Sequence, residues 1–233
     1  MSVLSKPEIL KHYQAGNIII DPFNTDAIAN SSCDVRLGQF FYRQSRAHDT
    51  ETLNPFWEKS IQKMYGKVET AIFVKQVRSK INPFYNLDDD DRIILVAPGE
   101  TILAHTIEFI GGKNGAGKLP ALTTEMRARS SLGRIGIGVC KCAGWGDIGY
   151  VNRWTMEITN FSNIVIPLVV GMRIAQIIFH EVGKIEEKDE YAKKGKYHTE
   201  SDIEKMKKNW QPSDMLPKLY KDRDIGQFKK FHA

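Results

Sequence analysis

The sequence of 233 residues has few of the features that mark a disulfide-rich or membrane-spanning protein. It contains three cysteines, an odd number, which argues against a disulfide framework and indicates a reducing compartment. The longest apolar stretch, residues 164–179, is interrupted by Pro167, Gly171, Arg173 and Gln176 and is shorter than the ~20 residues that a membrane helix needs. The first residues, MSVLSKPEILKHY, lack the apolar core of a secretory signal. These absences predict a cytoplasmic protein that does not contact a membrane.

The charge of the chain is modest. Lysine and arginine total 33 against 28 acidic residues, which gives a formal net charge of +5. With 42% hydrophobic and 26% charged residues, the composition is that of a globular protein and excludes wholesale disorder. A weakly basic chain attracts a small polyanion such as a nucleotide as well as it attracts nucleic acid, so charge alone does not choose between these ligands.

Two patterns associated with nucleotide chemistry are incomplete. Residues 198–200 spell the H-x-E motif of zinc-dependent nucleobase deaminases, but none of the cysteines that complete such a zinc site follows them. The glycine-rich segment 111–118 ends in a lysine followed by Leu119, where a phosphate-binding P-loop has serine or threonine, so a flexible hairpin is the better interpretation. The sequence therefore predicts neither a zinc site nor another protein-bound metal.

The order of apolar runs predicts a mainly β protein. Between residues 93 and 179, short β-branched runs recur about every eight to twelve residues, with glycine and turn signals between them and no helical pattern. This texture favours a sandwich or barrel. Residues 5–16 predict a short N-terminal helix that ends at a glycine. The irregular region 43–92 includes an expected helix at 55–65 and an expected strand at 71–77.

The segment 127–134, RARSSLGR, is a candidate phosphate site. It places three arginines and two hydroxyl groups within eight residues. Arginine binds phosphate oxygens through two parallel hydrogen bonds, and serine hydroxyls and backbone N–H groups satisfy the remaining acceptors. A solvated turn with ordinary surface arginines explains the same segment equally well.

Downstream segments place acidic and aromatic residues at turns and on a strand. Asp147 and Tyr150 lie in the glycine-rich turn AGWGDIGY, where an aspartate can hold a sugar hydroxyl or simply form a β-turn. In the strand WTMEIT, Glu157 shares a face with Thr155 and Thr159, opposite the apolar residues. An enclosed carboxylate there would have a raised pKa and could act as a general base; a plain exposed acid is the alternative.

Together these segments resemble one family. The order SSLGR, AGWxDxGY, TxEI and GMRIAQIIF is similar to the dCTP deaminase branch of the trimeric dUTPase superfamily, and most similar to the bifunctional type that deaminates dCTP and hydrolyses dUTP. IIIDP at 18–22, DVRLG at 34–38 and APGE at 97–100 also match. The likeness covers residues 1–40 and about 93–200.

The resemblance implies a dUTPase-like β-sandwich, a jelly-roll-like barrel, with a short N-terminal helix and a flexible C-terminal tail. On this basis residues 1–200 form a single nucleotide-binding domain with an unusual insertion at 43–92. Residues 201–233 form a basic C-terminal extension, helical or irregular, to which the resemblance offers no counterpart. The family likeness further implies a homotrimer and no nucleic-acid partner.

The resemblance also assigns roles to individual residues. Glu157 would be the catalytic general base, with Ser130 and Arg134 holding the reacting water and the base. The residues expected to bind substrate contact the triphosphate, the sugar or the cytosine ring: Arg129, Ser131, Ala143, Asp147, Tyr150, Thr155, Met156, Gln176, Tyr191 and Lys196. In the tail, Glu200 occupies the position at which the family has a glutamine. The sequence departs from the family there, so the phosphate contact of that glutamine is not assigned to Glu200.

The implied activity is hydrolytic deamination of dCTP to dUTP without zinc, with Mg²⁺ entering on the nucleotide triphosphate. Hydrolysis of dUTP to dUMP and pyrophosphate is the second activity of the bifunctional type, and dTTP is a candidate feedback inhibitor. Two alternatives stay open at this point: a plain dUTPase, and a catalytically silent nucleotide-binding regulatory trimer. Against the dUTPase, the sequence after residue 200 contains a single glycine, Gly226, instead of a glycine-rich arm.

Overall fold

The computed structural model describes residues 2–44, 52–115, 117–197, 200 and 202–222. The helices are α1 (Lys6–Gln14), α2 (Glu58–Tyr65), α3 (Ser130–Arg134), α4 (Tyr191–Lys194) and α5 (Ile203–Asn209). The strands are β1 (Ile18–Asp21), β2 (Cys33–Arg43), β3 (Glu69–Thr70), β4 (Ile72–Phe73), β5 (Arg92–Val96), β6 (Thr101–Gly112), β7 (Ala121–Ala128), β8 (Ile137–Gly138), β9 (Trp145–Gly146), β10 (Val151–Asn160), β11 (Ile166–Val169) and β12 (Arg173–Val182).

Antiparallel sheets dominate the described residues. The larger sheet has the order β8-β10-β6-β2-β12-β7-β9, with β1 also pairing β6 and β3 also pairing β2. A smaller sheet has the order β11-β5-β4. The inward faces of these strands enclose one apolar core, which includes Val35, Leu37, Ile158 and Phe179. The mainly β fold that the sequence predicts is confirmed.

The short helix at the N-terminus is also confirmed. Ser5 precedes α1, Pro7 lies in its first turn, and Ile9 is fully buried against the sheet. Gly16 follows the helix with a φ of +73°, a conformation in which glycine carries no steric penalty. The amide of Leu4 donates to the carbonyl of Phe179, 3.0 Å away, which ties the start of the chain to β12.

The strand predicted at 71–77 is wrong beyond Phe73. Residues Val74–Gln76 form a 3-10 turn instead. The side-chain oxygen of Gln76 accepts from the amide of Phe73 at 2.8 Å, a local bond that competes with strand pairing. The predicted helix in this region is present as α2, whose Ile61 and Tyr65 are buried.

The insertion and the tail meet on the outer surface of the larger sheet. Ile61 and Tyr65 of α2 form an apolar cluster with Tyr42, Leu103 and Met215. Met206 of α5 lies in a neighbouring cluster with Phe109 and Val151. The described part of the extension is therefore packed on the sheet, because these side chains gain burial by docking there. Its helix α5 agrees with the helical or irregular structure that the sequence predicts from residue 201 onward. Among the described helices, none has the length and apolarity to cross a bilayer.

Candidate active site

A cavity of about 390 Å³ opens beside β10, and we name it the Glu157 cavity. It is bounded by β6, β10, the loop between β8 and β10, and the tail. Its lining residues are Leu103, Ala143, Trp145, Asp147, Tyr150, Trp154, Thr155, Glu157, Tyr191, Lys196, Tyr197, Met215 and Pro217. Seven of the site residues that the sequence predicts meet here: Ala143, Asp147, Tyr150, Thr155, Glu157, Tyr191 and Lys196.

Strand β10 presents Glu157 to the cavity by simple alternation. Thr155 and Glu157 are half-buried on one face, whereas Met156 and Ile158 are fully buried in the main core on the other. The alternation that the sequence predicts for this strand is thus present. The side chain of Met156, expected to border the cytosine ring, faces the core and does not line the cavity. From Thr155 to Ile158, beyond the register shift between Arg153 and Thr155, neighbouring side chains alternate between the two faces.

Glu157 sits in an environment that favours its protonated form. Burial raises the pKa of its carboxyl group, and the positive charge of Lys141 and a hydrogen bond with the residue's own backbone partly oppose the effect. A carboxylate with a raised pKa holds a proton more strongly, which makes it a better base near neutral pH. The environment therefore suits proton abstraction from a bound water.

The loop before β10 is fixed against that strand. The amide of Cys140 donates to the carbonyl of Glu157 at 3.2 Å, and the amide of Ala143 donates to the carbonyl of Cys140 at 2.7 Å. The carbonyl of Gly144 accepts from the amide of Met126 on β7 at 2.6 Å. These bonds hold Ala143 at the cavity wall, between β7 and the carboxylate.

Aromatic rings form one side of the cavity. The ring of Tyr150 makes edge contacts with Trp154, at 5.1 Å between centroids, and with Tyr191 of α4, at 5.0 Å. Burial raises the pKa of the Tyr150 phenol, so this ring stays neutral. A Cβ at Gly111 would lie 2.0 Å from the carbonyl oxygen of Tyr150. Gly111 is the first residue of the glycine-rich segment and lies within β6. Glycine is required at this position because the Tyr150 carbonyl approaches so closely.

An outer groove of about 560 Å³ adjoins the Glu157 cavity. Four residues line both spaces: Trp145, Asp147, Tyr191 and Lys196. The amide of Tyr191 donates to the carbonyl of Ile148 at 3.0 Å, which fixes the tail beside the loop that carries Asp147. Lys196 also lies beside Asp222, with its Nζ 2.5 Å from a carboxylate oxygen. The cavity and the outer groove therefore share a wall that includes Asp147 and Lys196.

The predicted phosphate-binding residues lie elsewhere on this chain. Ser130, Ser131 and Arg134 of α3 are exposed, and Arg129 pairs with the buried carboxylate of Asp34. None of the predicted residues of this group, Arg129, Ser130, Ser131, Arg134 and Gln176, lines either described cavity. One chain thus brings together the residues expected around the base and sugar with Tyr191 and Lys196 of the tail, but not the arginine, serine and glutamine residues expected at the triphosphate.

The structure adds residues to this second group. The Asp34 carboxylate contacts Arg173 as well as Arg129, with an oxygen 3.2 Å from a guanidinium nitrogen of Arg173. Gln176 on β12 is the register partner of Asp34 on β2. We name Asp34, Arg129, Arg173 and Gln176 the arginine cluster. The motifs DVRLG and GMRIAQ carry Asp34 and Arg173, but no pattern in the sequence shows that the two residues touch.

Comparison with known proteins identifies similar chains. A model of the dCTP deaminase-like family matches residues 3–182. A protein of Methanopyrus kandleri named "dCTP deaminase, dUMP-forming" is 30% identical over 202 residues, which cover 85% of this chain and 91% of the relative. A protein of the same name from Nanoarchaeum equitans is 32% identical over 202 residues, covering 85% and 93%.

A solved structure shares the fold. The crystal structure of 2′-deoxycytidine 5′-triphosphate deaminase from Agrobacterium tumefaciens matches with a TM-score of 0.50 and 17% identity. The match covers 85% of this chain and 53% of that one, so this chain spans about half the length of the solved relative. At this identity the likeness shows the fold alone. Because the family model spans most of the chain and the M. kandleri and N. equitans relatives align along most of their length, this protein belongs to the dCTP deaminase-like family.

Proposed function

We propose that the protein catalyses hydrolytic deamination of dCTP to dUTP and then hydrolyses dUTP to dUMP and pyrophosphate. The observation that carries the proposal is the enclosed carboxylate of Glu157, whose pKa burial raises, in a cavity lined by Ala143, Asp147 and Tyr150. The name "dCTP deaminase, dUMP-forming" of the relatives supports both steps. In this proposal residues 1–200 form the nucleotide-binding domain and residues 201–233 a basic extension of it.

In the first step, water attacks C4 of the cytosine ring while Glu157 accepts a proton from that water. The C4–O bond forms and C4 becomes tetrahedral. Glu157 transfers this proton to the ring nitrogen N3, and then takes the proton of the new C4 hydroxyl and passes it to the amino group. The C4=O bond forms as the C4–N bond breaks, and ammonia leaves with the bonding pair. Water and dCTP give dUTP and ammonia. No zinc takes part in this mechanism, and no cluster of three or more metal-binding His, Cys, Asp or Glu side chains is found among the described residues.

The other lining residues would orient the nucleoside. The backbone carbonyl of Ala143 accepts from the cytosine amino group, and Asp147 accepts from the 3′-hydroxyl. Tyr150 lies beneath the sugar, Thr155 borders the base, and Lys196 binds the phosphates. Ala143, Tyr150 and Thr155 line the cavity alone, whereas Asp147 and Lys196 also line the outer groove, which supports a position of the sugar and phosphates towards that groove.

A second copy of the chain would supply the triphosphate contacts. We infer a homotrimer in which Ser130 and Arg134 of one copy complete the Glu157 cavity of another, because these residues face solvent in a single chain. An exposed apolar patch lies beside α3 and supports an interface there. Ile135 is 51% exposed and Phe161 72%, and the amide of Phe161 donates to the carbonyl of Gly136 at 2.7 Å.

In the second step a water attacks the α-phosphorus of dUTP, the bond to the β-phosphate oxygen breaks, and pyrophosphate leaves. Asp147 is placed to orient this water because it lines both the cavity and the outer groove. The Mg²⁺ ion enters as part of the nucleotide substrate and neutralises charge on the phosphates.

The product mixture from dCTP and Mg²⁺ tests the proposal. Ion-exchange separation should show ammonia, dUMP and pyrophosphate. Ammonia with dUTP would remove the second step, and dUTP hydrolysis with dCTP unchanged would make the protein a dUTPase. No turnover of either nucleotide, with a raised melting temperature in dCTP, would leave a regulatory binding protein. Addition of dTTP to the same assay tests feedback inhibition, which should lower the rate of ammonia release.

A further inference from the structure

Two residues of the C-terminal extension line the Glu157 cavity. Met215 and Pro217 belong to its wall, although the family model matches only residues 3–182. Met215 ends the 3-10 turn Pro212–Met215 and is 3% exposed. The wall of the cavity therefore includes side chains from a segment outside the family match.

Met215 packs beside the carboxylate-bearing strand. Glu157 on β10 is the register partner of Leu103 on β6, so the two side chains lie next to each other on one face of the sheet. Leu103 shares an apolar cluster with Met215 and with Tyr65 of the insertion. Burial raises the pKa of the Tyr65 phenol, and the nearby charge of Glu157 raises it further, which agrees with this cluster lying on the Glu157 side of the sheet. Insertion and extension thus close the same flank of Glu157.

The segment that carries Met215 is held at several points. The ring of Trp210 lies 4.7 Å from the ring of His105, and the guanidinium of Arg153 lies 4.7 Å above Trp210. The hydroxyl of Tyr220 donates to the Glu58 carboxylate of α2 at 3.1 Å. These contacts fix both sides of the turn, so the position of Met215 is set by packing.

We propose that residues 210–222 complete the base compartment of the active site and that Met215 is a positioning residue. Its side chain excludes water from the Leu103 flank of Glu157 and limits the space open to the pyrimidine ring. The proposal rests on the proposed function, since it assigns the Glu157 cavity to the base. Under this proposal, residues of the extension contribute to catalysis together with residues of the segment 3–182 that matches the family model.

Other groups around Glu157 are titratable or charged and so influence its protonation, whereas the side chain of Met215 carries no charge. The titratable and charged side chains that interact with it or line its cavity are Tyr65, Cys140, Lys141, Asp147, Tyr150, Tyr191, Lys196 and Tyr197. Substitution of Met215 changes none of these charges. A change in the acid limb of the rate profile would then report hydration of the carboxylate.

The test compares Met215→Ala with Met206→Ala. Both methionines lie in the extension and are nearly fully buried, but Met206 packs with Phe109 and Val151 and lines neither described cavity. We expect Met215→Ala to raise KM for dCTP about tenfold and to move the acid limb of the kcat/KM profile about 0.5 pH unit lower, because more water reaches Glu157. Met206→Ala should lower the melting temperature about as much as Met215→Ala does. It should leave KM for dCTP and the acid limb of the kcat/KM profile unchanged.

A rescue variant and a second variant of the cavity wall complete the test. Met215→Leu restores an apolar side chain and should return the wild-type profile. Pro217→Ala, which removes wall atoms outside the apolar clusters, should raise KM about threefold and gives a second variant if Met215→Ala does not fold. An unchanged KM and profile in a folded Met215→Ala, or in Pro217→Ala when Met215→Ala does not fold, would overturn the proposal.

The proposed function can fail independently of the role proposed for Met215. If the wild type releases no ammonia from dCTP, deamination is excluded, whatever the variants do. Equilibrium binding of dCTP then still tests the compartment, since Met215→Ala should bind about tenfold more weakly than Met206→Ala. Equal affinities of these two variants would contradict the role of Met215 independently of turnover.

Discussion

The Glu157 cavity and the arginine cluster are two regions of opposite character. In the cavity an acidic side chain is enclosed by aromatic and apolar residues, and burial raises the pKa of Glu157. In the arginine cluster a nearly buried aspartate, Asp34, is flanked by two partly exposed guanidinium groups, Arg129 and Arg173. The first environment favours proton transfer and the second favours binding of an anion.

The two regions do not share a described cavity in one chain. Under the proposed function, proton transfer at the base and binding of the triphosphate occur on one nucleotide, yet no described cavity contains Glu157 together with a residue of the arginine cluster. A copy related by symmetry can present the exposed α3 face of one chain to the cavity of the next. Four predictions test this comparison.

Glu157→Gln should have the largest effect. The amide keeps the shape of the side chain but cannot accept the proton, so ammonia release should fall about 10³-fold. Affinity for dCTP, measured by calorimetry, should change little, and Thr159→Ser on the same strand serves as a control. A variant that retained full deamination would remove Glu157 from the role of base.

Arg134→Ala should lower activity about 10²-fold, because Arg134 is proposed to complete the Glu157 cavity of another copy, where its guanidinium would stabilise charge in the intermediate. Co-refolding this variant with Glu157→Gln tests where Arg134 acts. If each site combines Glu157 of one copy with Arg134 of another, about a quarter of the sites in a 1:1 mixture contain both native residues. Activity should then return to about a quarter of the wild-type level. A mixture as inactive as its components would place Arg134 and Glu157 of one chain in the same site.

The rate should depend on the ionisation of Glu157. Only the carboxylate accepts a proton, and burial raises its pKa, so kcat/KM should fall as the pH drops through a value above the ordinary ~4.3 of glutamate. Below that value the rate falls about tenfold per pH unit. Lys141→Met removes a charge that lowers this pKa and should move the limb upward. A limb that moved downward would contradict the assignment.

Asp34→Asn should have the smallest effect. The amide no longer balances the charges of Arg129 and Arg173, so the orientation of Arg129 is less well fixed and KM for dCTP should rise about threefold. The value of kcat at saturating substrate should stay within about twofold, because Asp34 does not line the Glu157 cavity. A large loss of kcat would mean that the arginine cluster acts on the chemical step.

Local sequence patterns were sufficient for much of the fold and for part of the site. The period-two pattern of WTMEIT places Glu157 and Thr155 on the face opposite Ile158, and the structure has this arrangement. The same alternation already implied that Met156 points away from Glu157, although the family resemblance suggested a contact with the base. The expected strand beyond Phe73 is absent because a side-chain bond of Gln76 closes a turn, a contact that strand propensity does not describe.

The sequence by itself determined the mainly β character of the chain, the N-terminal helix, the face of β10 that carries Glu157 and the family to which the chain is similar. These features depend on contacts between near neighbours, or on motifs that are contiguous in the chain. Only the tertiary structure decided that Met215 borders Glu157 and that Arg134 does not. Residues 58 positions apart meet because the extension gains apolar burial on β6, whereas residues 23 positions apart stay separate because α3 turns away from the cavity.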